Sequence, residues 1–90
     1  MFIKVFANRQ FHIMKIDEEK FAENFGKKIR EVRIKAKLSQ EMLANDANIP
    51  INQVGRIERA EINTSINTIY KLAKALGIDV KDLFDFEKKD

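Results

Sequence analysis

The sequence predicts an all-α domain of five helices preceded by a short N-terminal extension, and three observations predict it. The stretch Gln40 to Arg59, QEMLANDANIPINQVGRIER, reads as two short helices joined by a three-residue turn, the helix-turn-helix pattern. Apolar residues recur at spacings of three and four on either side of it, first at Phe21, Phe25, Ile29, Val32 and Ala36, then at Ile66, Ile69, Leu72, Ala73 and Leu76. Helix start and stop residues, Ser39, Ser65, Gly77 and Asp79, stand at the ends of these runs.

Residues 1–16 stand apart. Phe2, Ile3, Val5 and Phe6, then Phe11, Ile13, Met14 and Ile16, flank a polar Asn8, Arg9 and Gln10. That pattern is open to two short strands with a turn, which would offer a dimerising surface or a contact for a protein partner, or to a disordered arm. Met14 opens a run, MKIDEEKFAENFGKKIRE, that suffices to start a domain, so the first 13 residues read as an optional extension. The helical domain is expected over 17–86, with its motif at 40–59, and the charged 87–90 as a fraying tail.

Asp17 is a good N-cap for the first helix, with Glu18 and Glu19 complementing the helix dipole. Gly26 costs about 1 kcal/mol of helix propensity, so a start near Phe25 is equally open. Arg33 falls on the inward side of this helix, one turn after Ile29, and needs an internal partner unless it turns to solvent. Ser39 caps the second helix. Ala44 is small where two helices cross, Asn48 tolerates the left-handed backbone of the turn, and Val54 and Ile57 anchor the third helix. Ser65 caps a fourth helix, Ile66 to Leu76, that buries Ile66, Ile69, Leu72, Ala73 and Leu76, and Gly77 ends it. Asp79 caps a short fifth helix with Val80, Leu83 and Phe84. Leu83, Phe84 and Phe86 either close the monomer core or form part of a dimer interface.

Ninety residues with 44% hydrophobic content permit one modest core and argue against a large buried active site. Zero cysteines exclude disulfides and thiolate metal sites. No apolar run approaches the roughly 20 residues of a membrane helix, so a soluble, cytoplasmic chain is expected. An enzyme is not expected: the sole histidine, His12, lies outside the domain, no glycine-rich phosphate loop or carboxylate set at metal spacing occurs, and Ser39 and Ser65 have capping roles. No cofactor, metal or ligand pocket is foreseen. The net charge of +3 is unevenly placed: eight basic residues (Lys27, Lys28, Arg30, Arg33, Lys35, Lys37, Arg56, Arg59) oppose four acids between Lys27 and Arg59, whereas from Gly77 onward five acids oppose three lysines. Positive potential gathers on the motif half, as a phosphate-binding surface requires.

Over about Phe25 to Phe84 these residues resemble the Cro and phage-repressor-like (XRE) helix-turn-helix family. The block IREVRIKAKLSQEMLA resembles the family's first two helices, RIERAEINTS its "IERG" turn with Ala60 in place of glycine, and IYKLAKALGIDVKDLF its closing helices. The resemblance implies a five-helix lambda-repressor-like DNA-binding domain in which Arg33 pairs with Glu58. It further implies base contacts from Ile51, Asn52 and Arg56, and DNA backbone contacts from Gln40 and Gln53. Their chemistry suits those roles: arginine reads guanine O6 and N7, asparagine reads adenine N6 and N7, and isoleucine meets a thymine methyl. For Arg56 a phosphate contact, and for Asn52 a helix cap, are open alternatives.

Three departures bear on the site. Met42 replaces the family's frequent glutamate, so Ser39 caps alone. Pro50 replaces the serine or threonine cap, leaving the third helix to start at Pro50 or later, near Asn52. Gly55 removes bulk and would let the backbone approach the groove. The implied function is a sequence-specific regulator of transcription, a repressor that binds a palindromic operator in double-stranded DNA as a homodimer. The alternative is a protein-interaction module of antitoxin or co-activator type, partnered through Met1 to Ile16.

Overall fold

A computed structural model describes the backbone of residues 2–86 and the side chains of residues 18–86. Four α-helices and one 3-10 helix make up the described chain: α1 (Phe2–Lys35), α2 (Gln40–Ala47), α3 (Gln53–Glu58), α4 (Ile66–Leu76) and a 3-10 helix (Val80–Phe84). The expected fifth α-helix is the 3-10 turn. Between Gly77 and Asp85 there is room only for i→i+3 bonds, such as Asp82 N–H to Asp79 O at 3.0 Å. The fraying expected of 87–90 lies outside the described residues.

Helix α1 begins well before either expected start. The backbone of Phe2 to Ile16 is helical and continuous with the domain, where the sequence left strands or a disordered arm open. Neither glycine nor proline occurs between Met1 and Phe25, so nothing in that stretch stops a helix that has begun downstream. Asp17 is accordingly inside α1 and not at its cap.

All four α-helices end alike, with a residue in the left-handed region followed by a paired closure. The left-handed residues are Lys37, Asn48, Ala60 and Gly77. After them Leu38, Ile49, Glu61 and Ile78 donate their N–H to the carbonyls of Arg33, Ala44, Arg56 and Ala73 at 2.8 to 3.1 Å. At the other ends Ser39 Oγ accepts from Met42 N–H at 3.0 Å and Ser65 Oγ from Thr68 N–H at 3.1 Å.

The core is Phe25, Ile29, Leu43, Ala44, Ala47, Val54, Ile57, Leu72, Ala73 and Leu83. Phe84 stacks on Phe25 at 5.1 Å and on Phe21 at 5.6 Å, and Phe86 meets Phe21 edge-on at 5.4 Å. These rings fasten the 3-10 helix to α1, the monomer-closing option of the two left open. Three residues of the apolar runs expected inside are largely outside. Phe21 is 51% exposed because it covers Phe84 from the rim, and Ile66, in the first turn of α4, is 83% exposed at the edge of the arc that buries Leu72 and Ala73. Ala36 is also exposed, in the turn after α1. An open apolar groove of about 640 Å³, lined by Phe21, Phe25, Ile57, Ile62, Ile69 and Phe84, occurs where the sequence foresaw no pocket.

Gly26 shows why α1 and α3 can cross so closely. A Cβ there would stand 2.5 Å from Ile57 O and 2.7 Å from Glu58 O. Propensity alone predicts that Gly26→Ala stabilises α1 by up to about 1 kcal/mol, but the clash is with backbone that cannot rotate away. Gly26→Ala is therefore expected to destabilise the protein by about 1 to 3 kcal/mol, read by urea denaturation. A gain in stability would contradict this packing.

Candidate nucleic-acid interface

Helix α3 has only six residues, too short to hold its own conformation in water, so its placement depends on what grips it. One side is apolar: Val54 and Ile57 are buried, with Gly55 between them. Its last residue, Glu58, supplies the polar grip. Arg33 donates from Nε to Glu58 Oε2 at 2.6 Å and from Nη2 to Oε1 at 3.1 Å, a two-pronged contact in which both side chains are at least nine-tenths buried. The remaining Arg33 nitrogen, Nη1, donates to Leu38 O at 2.9 Å, just ahead of α2. One guanidinium thus ties α1, the approach to α2, and α3. Arg30, mostly exposed, adds a cation 3.9 Å from the same carboxylate.

Gln40 joins this cluster. Its side-chain amide donates to Glu58 Oε1 at 2.9 Å, whereas the sequence assigned that amide to a phosphate oxygen. The amide oxygen of Gln40 lies 3.1 Å from where a Cβ on Gly55 would stand, and Arg59 Nη1 lies 3.0 Å from the same point. Gly55 therefore makes room for two side chains of its own protein, a use the sequence assigned to approach by DNA.

The candidate base-reading residues occupy the turn and the exposed side of α3. Ile51 is 56% exposed, and Asn52 is exposed at the N-cap of α3 with φ −85° and ψ 1°. Asn52 thus takes the cap position that one alternative gave it, but its side chain makes no capping hydrogen bond. The helix starts late, at Gln53, and Pro50 lies before it, its carbonyl accepting from Gln53 N–H at 3.0 Å. Gln53 is half-buried, and Arg56 is exposed on the side away from Val54 and Ile57.

Glu61 is the functional candidate that the sequence reading did not single out. Its carboxylate accepts from Arg59 Nε at 2.8 Å and Nη2 at 3.3 Å, and Arg56 Nε lies 4.0 Å from it. The hydrogen bonds from Arg59 hold the Glu61 carboxyl below its ordinary range, and Glu61 raises the Arg59 guanidinium in return. The left-handed backbone of Ala60, which alanine does not announce in the sequence, folds Glu61 back so that its N–H reaches Arg56 O at 2.8 Å. Among the described residues no cluster of His, Cys, Asp or Glu could hold a metal, and no helix is long and apolar enough to cross a membrane.

Removing one partner of a buried pair strands the other, so Arg33→Ala is expected to cost about 3 to 5 kcal/mol, read by urea denaturation. Arg33→Lys keeps the charge but loses the fork and the reach to Leu38 O, and should recover only part of that loss. A loss below about 1 kcal/mol in Arg33→Ala, the range of exposed pairs, would contradict the structural role of the pair.

Comparison with known proteins places this geometry. A family model described as helix-turn-helix matches residues 29–83. Control protein C.BamHI of Bacillus amyloliquefaciens is 43% identical over 63 residues, which span 69% of this chain and 78% of that protein. The immunity repressor protein of Bacillus phage phi105 is 40% identical over 55 residues, 61% of this chain but only 38% of the repressor. The crystal structure of the restriction-modification controller protein C.AhdI from Aeromonas hydrophila superposes with a TM-score of 0.69 at 41% identity, covering 70% of this chain and 96% of that one. With its motif matched, its turn and third helix held in that geometry, and its relatives named as regulators, the chain belongs to the XRE-type helix-turn-helix family of DNA-binding transcription regulators.

Proposed function

We propose that this protein is a sequence-specific regulator, a repressor that binds a palindromic operator as a homodimer with one α3 in each major groove. The observation that carries this reading is that Ile51 and Asn52, in the turn leading into α3, and Arg56 on α3 are exposed, while the other side of this short helix is fixed by Val54, Ile57 and Glu58. A short helix held that firmly can place side chains at base edges without a large entropic loss on binding. Arg56 reads guanine, Asn52 reads adenine, and Ile51 packs on a thymine methyl. Gln53 reaches the backbone. Gln40 has a second amide hydrogen to offer a phosphate while its first stays on Glu58.

Two-fold symmetry would set the half-sites about 34 Å apart, one helical turn. Ile66 and Tyr70, one turn apart on α4, are the exposed apolar pair that supports a contact between two copies, since Leu83 is fully buried. Coverage favours one process over another. The chain spans most of two control proteins but little of the phage repressor, which supports a role in controlling restriction and modification genes.

Selection of bound duplexes from a randomised pool tests the reading. The wild-type protein is expected to enrich a sequence with two-fold symmetry, and Arg56→Ala to relax one guanine position by about 1 to 3 kcal/mol. Affinity should fall with salt at a slope of about −0.9 per phosphate neutralised. Absence of any enriched sequence, with weak binding lost at moderate salt, would show that α3 does not read bases.

A further inference from the structure

Arg56 and Arg59 both project into solvent, and both are directed at one exposed carboxylate. Glu61 stands 2.8 Å from Arg59 Nε and 4.0 Å from Arg56 Nε. Its backbone is fixed beside both arginines, because its own N–H is bonded to Arg56 O across the left-handed Ala60. Gly55, lacking a side chain, leaves the space over α3 that the Arg59 guanidinium occupies. An acid held in the turn just after the helix proposed to enter DNA opposes the charge that the exposed side of that helix needs, and that opposition has a use.

Building on the DNA-reading role proposed above, we infer that Glu61 sets the ratio of specific to non-specific DNA binding by neutralising Arg56 and Arg59 against phosphate while leaving the terminal nitrogens of Arg56 to a guanine edge. A phosphate offers either guanidinium the same single negative charge that Glu61 already supplies, and it brings a second anion close to Glu61. Exchange of Glu61 for phosphate therefore gains little. A guanine edge is different. It is uncharged, it accepts from the two terminal nitrogens of Arg56, and it leaves Nε facing Glu61, so the base contact adds to the ion pair and does not replace it. Glu61 thus penalises contacts that carry no sequence information and spares the one that does, which is discrimination by a repulsive element.

Glu61→Gln removes the charge and keeps the shape, and because Glu61 is exposed the variant should melt with the wild-type protein. The probes are the duplex enriched by the wild-type protein and a shuffled duplex of the same composition, with affinities read by fluorescence anisotropy at two salt concentrations. Glu61→Gln should bind the shuffled duplex about threefold to tenfold more tightly, with a salt slope steeper by about 0.9 for each added phosphate contact, and should gain less on the enriched one. The specificity ratio then falls. In an Arg56→Ala background the ratio should respond less to Glu61→Gln, because only Arg59 is then released. A selective wild-type protein whose ratio is unmoved by Glu61→Gln, or falls as far without Arg56 as with it, overturns the role of Glu61 alone. A wild-type protein that does not distinguish the two duplexes overturns the DNA-reading role and this inference with it.

Discussion

The Glu58 carboxylate is the point on which the arrangement of this domain depends. Six residues of α3 cannot pay for their own order, and Val54 with Ile57 fixes only which side faces inward. Rotation and sliding of the helix are stopped by the two-pronged contact from Arg33, which also reaches Leu38 O, and by the Gln40 amide. A buried ion pair of this kind contributes little net stability against an apolar replacement of the same shape, because desolvation offsets most of the attraction. Its return is geometric. The fork admits one relative placement of α1, α2 and α3, whereas apolar side chains would tolerate several.

From that constraint the division of α3 follows. Its inner side is closed by the core and by Gly26 of α1, against whose missing Cβ the carbonyls of Ile57 and Glu58 rest. Its outer side carries the polar groups that are not needed for folding. Arg56, Arg59 and Glu61 form a second charged set, exposed where the Arg33 set is buried, and the two obey different physics. The inner pair is costly to break. The outer one is weak, screened and exchangeable, as a surface that trades partners must be.

Much of the fold was legible in the residues themselves. Ser39, Ser65 and Gly77 stand where the helices start and stop, Asn48 takes the left-handed turn, and Val54, Ile57, Leu72 and Ala73 fill the core, because capping and periodicity are local rules. The Arg33 to Glu58 pair came from family resemblance, since a separation of 25 residues leaves no local trace. What escaped depends on neighbours distant in sequence. Gly26 read as a weak helix former and Gly55 as room for the backbone to approach a groove, but each is a space that other groups of this protein fill. Gln40 read as a free donor because its acceptor is 18 residues away. Lys37 and Ala60 carry no marker for left-handed backbone, and Ile66 obeys the helical period at a place where burial has ended. For the N-terminal stretch, alternation of apolar residues suggested strands, although the absence of glycine and proline is as informative as any pattern.

The turn and exposed side of α3, held from within by Glu58, are the surface proposed to meet DNA. Mapping amide chemical shifts in a uniformly labelled protein, on addition of the duplex it enriches, tests this most directly. The largest changes are expected at Ile51, Asn52, Gln53 and Arg56 and at the start of α2, with the amides of Ile29 and Leu72 nearly still. Changes concentrated at Phe21, Phe84 and the first half of α1, with α3 unmoved, would contradict the account and place the interaction on another face.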